Sequence, residues 1–300
     1  MNKYFILGQQ GTCLHFIACL IRLLYDKNYY DICKSTNQLG MYDSIFGAHA
    51  FYETIIEQQR LSQYPEETWS IIALNLLKKT FAGEISLQRP YWIDYNIIPI
   101  HYGNQKTIDY ILNSVENSKI VFIKFDNNDI LQIGLNFINK VYLDSLLNPI
   151  HGGIARLLRL YRKFPDAIIF DRQRFLNINQ EELIEFAKKV VELELYDEKF
   201  MKNPDTHENV KVINFGEIYN LDSLLNSLAE FSGQTITDKL RKFADNFLYN
   251  QPTLESSINF IKQIKDNPHS DFMYNDLMCN FNKLTNDEAV AKWKEYDSKQ

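Results

Sequence analysis

Short apolar runs that close on turn formers, each leading into a segment with apolar positions at helical spacing, set the pattern of this chain. Tyr4-Phe5-Ile6-Leu7, Lys119-Ile120-Val121-Phe122-Ile123-Lys124 and Val210-Lys211-Val212-Ile213-Asn214-Phe215 are rich in β-branched and aromatic residues and read as buried strands. A fourth run, from Trp92 to His101, ends in a polar residue just before Tyr102-Gly103. That is how a sheet strand delivers a side chain to its carboxyl edge, where open α/β sheets bind ligands.

Between the runs the spacing changes to the helical period. The residues from Thr12 to Asp26, Thr107 to Glu116, Glu181 to Glu198 and Leu221 to Gly233 predict helices, the last with apolar residues at 221, 224, 225, 228 and 231 and Gly233 as its stop. Ala48 to Gln63, and the segment from Tyr64 to Thr80 with Pro65 in its first turn, predict two more after a loop over Ser35 to Gly47. A helix starting near Ile130 has Asp126 or Asn128 as its expected cap. His151-Gly152-Gly153 reads as a turn, Asn203 to Asn209 as a loop, and the charged tail from Lys283 as a final helix anchored by Trp293. Strands alternating with helices in this way predict a parallel sheet with right-handed crossovers.

Length and charge narrow the picture. Three hundred residues with 45% apolar content suit one large domain over residues 1–300, with a core from 3 to 250 and a helical tail from 251 to 300. A net charge of -6 argues against a nucleic-acid-binding surface. Cys13, Cys19, Cys33 and Cys279 form no CxxC pair, so neither a zinc site nor a disulfide framework is indicated. The N-terminal apolar stretch is interrupted by Gln9, Gln10 and His15, which disfavours both a signal peptide and a membrane span; the expected location is cytoplasmic.

The candidate chemistry gathers at the first turn. Gly8, Gln9, Gln10, Gly11, Thr12 and Cys13 join a strand to a helix, where free backbone N–H groups and the positive end of a helix dipole favour an anion. Glycines at 8 and 11 let the backbone approach closely, and Thr12 offers a hydroxyl as N-cap or ligand donor. No lysine follows the second glycine, so the kinase-type GxxxxGK[ST] loop is absent. A plain strand-to-helix turn is the competing reading of the same residues. The one basic cluster, Arg156, Arg159 and Arg162 with Lys163, lies on one helical face and reads either as a cation source or as a solvated face with Leu157, Leu158 and Tyr161 inside.

Four segments in order resemble the sulfotransferase family. The GQQGT turn resembles the short loop that holds the 5′-phosphosulfate end of 3′-phosphoadenosine-5′-phosphosulfate. Ile97 to His101 resembles the strand ending in Lys-Thr-His, whose His is the general base. The stretch IVFIKFDNNDILQ, Ile120 to Gln132, resembles the strand ending in Arg-Asp-Pro and the Ser-bearing helix that bind the 3′-phosphate. VKVINFGEIYNLDSLLNSLAEFSG is similar to the family's strand ending in Tyr-Glu-Asp-Leu and its following helix. The resemblance spans roughly residues 3 to 235. It implies an α/β three-layer sandwich of the P-loop nucleotide-binding type with helical cap segments.

The same resemblance implies a metal-independent sulfuryl transfer to a hydroxyl or amine on a small-molecule, glycan or peptide acceptor. His101 would be the base, backbone amides at Gln10, Gly11 and Thr12 would hold the 5′-phosphate, and Lys124 with Gln132 would stand at the 3′-phosphate. The chain departs from the family pattern at several of these positions. Gln9 and Gln10 stand where the family has Lys or Arg, Lys124 replaces an Arg and so lacks the bidentate fork, Gln132 lies nearest the Ser position, and Pro99 replaces the Lys before the His. A neutral amide gives a bond about half as strong as a charge-assisted one. A non-catalytic relative that binds an anion or a partner is therefore the alternative expectation, with Glu217 read as structural.

Overall fold

The computed structural model describes residues 2–9, 11–25, 97–100, 105–147, 151–195, 201–265 and 267–299. The loop expected over 35–47 and the helices expected over 48–63 and 64–80 lie outside them. In chain order the principal elements are β1 (Lys3–Leu7), α1 (Leu14–Tyr25), β2 (Ile97–Ile100), α2 (Gln105–Ser114), β3 (Ser118–Lys124), α3 (Ile130–Phe137), α4 (His151–Lys163), α5 (Gln180–Val190), β4 (Val210–Asn214), α6 (Leu221–Ser232), α7 (Asp238–Tyr249), α8 (Leu254–Ile264) and α9 (Asn286–Asp297). The chain is α/β, with a small parallel sheet among many helices.

Two compact units can be distinguished, Met1–Asp126 with Asp197–Asn250, and Asn127–Tyr196 with Gln251–Gln300. The first holds the sheet, whose order is β2-β1-β3-β4 with every neighbouring pair parallel. Near-continuous apolar runs belong inside such a sheet, because both of their faces are covered. Phe5, Ile6 and Leu7 of β1 and Ile120, Val121 and Ile123 of β3 are accordingly fully buried. Val210, Lys211 and Val212 of β4 are only half-buried, as suits the outermost of the described strands on that side.

One face of the central pair meets α6 through polar as well as apolar contacts. Tyr4 is in register with Lys119, and both reach Phe231 near the end of that helix. Lys119 Nζ donates to the Phe231 carbonyl at 2.5 Å and stands 4.9 Å from the centre of its ring. A cation among the last carbonyls of a helix satisfies acceptors that have no intrahelical donor. The Tyr4 and Tyr25 hydroxyls share a hydrogen bond of 2.6 Å, and Tyr25 donates onward to the Ser232 carbonyl at 3.1 Å. Burial, with the bond to Tyr25, pushes the Tyr4 phenol well above its ordinary range. Successive residues of a strand face opposite ways, so Ser118 lies on the other face, and its hydroxyl donates to the Ile111 carbonyl of α2. Behind α1, Phe16 stacks on Phe247 of α7 with ring centres 3.9 Å apart.

In the second unit α3 and α5 cross at a pair of small residues. A Cβ placed on Gly134 would lie 2.4 Å from the Ala187 carbonyl oxygen. The surrounding helix ends are capped from within: Asn179 and Glu182 close a capping box on α5, and Thr285 and Glu288 another on α9. Arg174 donates from Nε to Glu182 at 2.8 Å, and that bond with the Asn179 backbone amide holds the Glu182 carboxyl below its usual value.

Three local expectations are corrected. His151-Gly152-Gly153 is the first turn of α4 rather than a separate turn, and the first amides of a helix have no intrahelical acceptor whatever residues carry them. At α3 the N-cap position falls on Asp129, in helical backbone geometry and without a side-chain capping bond, rather than on Asp126 or Asn128. Thr12 does not cap α1, for a reason given below. The helix over Leu221–Ser232 does end as expected on Gly233 at φ +70°.

The Gly134 crossing makes a prediction whose sign is set by geometry. By helix propensity alone Gly134→Ala should gain about 1 kcal/mol. Here the added methyl meets backbone that cannot rotate away, so Gly134→Ala should lose roughly 1–3 kcal/mol of stability. Urea denaturation followed by circular dichroism checks this; an unchanged or raised midpoint would mean that the two helices do not cross this closely.

Candidate functional site

In a doubly wound sheet the ligand crevice opens at the carboxyl ends of two neighbouring strands whose connections leave in opposite directions. Among the described strands the order changes direction at β1, with β2 on one side of it and β3 on the other. Leu7 pairs with Phe122, so the turn after β1 and Lys124 at the end of β3 leave the sheet side by side at the same edge. The alternation places Lys124 opposite Asn214 at the end of β4.

Gly8 continues the ladder, its N–H donating to the Ile100 carbonyl of β2 at 3.2 Å. A Cβ here would lie 2.9 Å from both Leu14 Cδ1 and Thr12 Oγ1 and 3.2 Å from Ile123 Cβ. The glycine therefore makes room for the protein's own side chains. Gly11 takes φ +87°, which only glycine adopts freely, and Cys13 takes φ +59°. That second left-handed residue delays α1: the Cys13 carbonyl accepts from Ile17, and the helix begins at Leu14.

Thr12 is fully buried and turned back into the turn. Its hydroxyl donates to the Gln9 carbonyl at 2.6 Å, and its backbone N–H donates to the same oxygen at 3.2 Å. Both of its donors close the turn on itself, and because Cys13 is left-handed and α1 begins at Leu14, Thr12 stands one residue before the N-cap position. Gln9 is 6% exposed, and its side-chain oxygen is buried without a hydrogen-bond partner among the described residues. Gln10 and His101 lie outside the described residues.

Lys124 is half-buried, and no hydrogen bond or ion pair to its side chain is found among the described residues. Beside it, the Asn214 amide donates to Glu217 at 2.8 Å, and the Asn214 backbone N–H donates to the same carboxylate at 3.2 Å. This capping box gives Glu217 a structural part, closing the turn over Phe215–Tyr219. Gln132 belongs to α3 in the second unit, where its amide donates to Asn136 and to the Pro252 carbonyl, both at 2.9 Å. Arg156 and Arg162 are in that unit too. Arg156 lies 6.0 Å from the Phe137 ring centre, Arg162 donates to the Leu284 carbonyl, and Leu157 and Leu158 are fully buried beneath them. That arrangement matches the reading of this helix as a surface face over an apolar interior.

No family model, curated protein or solved structure matches this chain. Among the described residues no group of three or more His, Cys, Asp or Glu is placed to hold a metal ion, and no helix is long and apolar enough to cross a membrane.

The donors of Thr12 make the turn testable apart from any ligand. Thr12→Val keeps the shape of the side chain and removes a buried bond to Gln9, so it should cost about 1 kcal/mol. Thr12→Ser should retain most of that. Equal urea midpoints for the valine variant and the native chain would show that the hydroxyl does not hold the turn.

Proposed function

We propose that the carboxyl edge shared by β1 and β3 binds 3′-phosphoadenosine-5′-phosphosulfate and that the protein is a sulfotransferase-like enzyme. The observation that carries this reading is the β1–β3 pairing, which sets the glycine turn and Lys124 at one edge of the sheet. Side-chain contacts on both faces of the central strands support the finer description, a three-layer sandwich of the P-loop nucleotide-binding type. In this reading Gln10 and Gly11 offer amides to the 5′-phosphosulfate, and Lys124 offers its ammonium to the 3′-phosphate. The buried carboxamide of Gln9 lies in the same turn. An acceptor hydroxyl or amine attacks sulfur, the bond from sulfur to the bridging phosphate oxygen breaks, and His101 takes the acceptor's proton. Positioning and charge neutralisation supply the rate in such transfers.

A second reading, a relative that binds the anion without turnover, is favoured by specific observations. Both donors of Thr12 are used inside the turn, Gln9 and Gln10 carry no charge, and the Gln132 amide is committed to Asn136 and Pro252. Adenosine 3′,5′-bisphosphate tests the shared part of the two readings. By calorimetry the 300-residue chain should bind it with a Kd tighter than about 1 mM. A β-branched side chain at the φ of +87° costs on the order of 1–3 kcal/mol, so Gly11→Val should weaken binding about tenfold or more. Lys124→Ala should weaken it comparably. Binding weaker than millimolar, or unchanged in both variants, removes this edge as the site. Transfer of labelled sulfate to phenolic and amine acceptors then separates enzyme from binder, and His101→Ala should abolish transfer while leaving binding intact.

A further inference from the structure

One helical segment of the second unit changes its winding twice within residues 268–280. It is α-helical over Pro268–Phe272, π-helical over Met273–Leu277 and 3₁₀ over Met278–Asn280. Turns of the π type are rare and recur at functional sites. The Asn267 side chain caps the start of the segment, accepting from the His269 and Ser270 amides, and a turn in which the Lys283 N–H donates to the Asn280 carbonyl follows its end. Tyr274, Asn275, Met278 and Cys279 form one side of a cavity of about 460 Å³, and residues between 161 and 174 form the rest.

Apolar contact holds this segment in place. Met273 and Leu277 are fully buried, Phe272 stacks on Tyr296 of α9 with ring centres 4.0 Å apart, and His269 meets Trp293 of the same helix at 5.4 Å. Polar groups oppose it. His269 Nδ1, Ser270 Oγ, Tyr274 Oη and the Nε of Arg172, whose guanidinium carbon lies 6.0 Å from the Tyr274 ring centre, are buried with no hydrogen-bond partner among the described residues. Each is also sealed from solvent, so it has given up its hydration without a replacement. Burial keeps the Tyr274 phenol protonated, so its hydroxyl stays a donor.

Four such atoms, in and against one short segment, raise the free energy of the shut arrangement alone, because a movement that admits water supplies partners to all of them. A helix of the same unit shows the contrast. The fully buried Ser257 of α8 accepts from Asn139 at 2.8 Å and donates to the Thr253 carbonyl at 2.6 Å, so opening there would break bonds rather than satisfy orphans. We propose that residues 268–280 form a gate: the segment moves away from residues 161–174 as a unit while α8 stays folded, which widens the cavity and brings Tyr274 Oη and Arg172 Nε, sealed in the shut form, to its surface. The gate lies wholly in the second unit and stands whether or not the turn after β1 binds a nucleotide.

Hydrogen exchange followed by mass spectrometry on the 300-residue chain, over a series of urea concentrations below the unfolding transition, tests the gate. Amides of 268–280 should exchange faster than those of α8 and with little dependence on urea, the mark of local opening. Tyr274→Phe and Ser270→Ala each remove one orphaned hydroxyl from the shut form and should slow that exchange about fivefold without changing α8. Tyr296→Phe instead removes a bond that is made, from its hydroxyl to the Pro268 carbonyl at 3.3 Å, and should speed the same exchange about twofold. Exchange of 268–280 with the urea dependence of α8, slowing by neither of the two orphan deletions, or equal slowing by Tyr296→Phe overturns the proposal.

Discussion

The parallel pairing of β1 with β3 is the constraint on which the first unit rests. These two strands are separated by more than a hundred residues of sequence, yet their ladder runs without interruption from Lys3 opposite Ser118 to Leu7 opposite Phe122. Both lie between other strands, so their backbone groups have partners on two sides and their side chains are out of water. Such pairing is non-local, and its loop-closure entropy must be offset by burial. The buried phenylalanine, isoleucine and leucine side chains of the two strands, at about 25 cal/mol per Å² of apolar surface, supply that offset.

Once the two strands are in register, the polar details at their edges follow. Lys119, an exposed-type residue in a buried strand, is tolerated because Phe231 at the end of α6 supplies both a ring and a carbonyl. At the carboxyl edge the same register sets Gly8 against Ile123 and leaves no volume for a Cβ. The turn then closes by the Thr12 hydroxyl and amide, both donating to Gln9, and this self-closure separates the observed geometry from an open anion cradle. The nucleotide reading consequently leans on Gln10, Gly11 and Lys124.

Much of this architecture is legible in the residues. The apolar runs at Tyr4–Leu7, Lys119–Lys124 and Val210–Asn214 are strands within a residue or two of their expected bounds, and Leu221–Ser232 is a helix stopped by Gly233. Periodicity reports such elements because the side chains that define them face one core. Caps were less legible. Thr12 and Asp126 have the right chemistry for capping, but a hydroxyl or carboxylate caps only if the preceding backbone turns it toward the helix. At Thr12 the left-handed Cys13 turns it away. No motif announces the cavity in the second unit, whose walls come from residues 161–174 and 274–279.

By itself, then, the order of amino acids determined an α/β chain with buried parallel strands, helices between them, and a glycine turn after the first strand. Alternation and period are local properties, written into any short window. Only the tertiary structure decided which strand lies beside which, that Lys124 leaves the sheet next to the first turn, that Thr12 spends its donors on Gln9, and that Tyr274 and Arg172 share a wall. Those are relations between residues far apart in sequence, set by packing and register, and no local pattern encodes them.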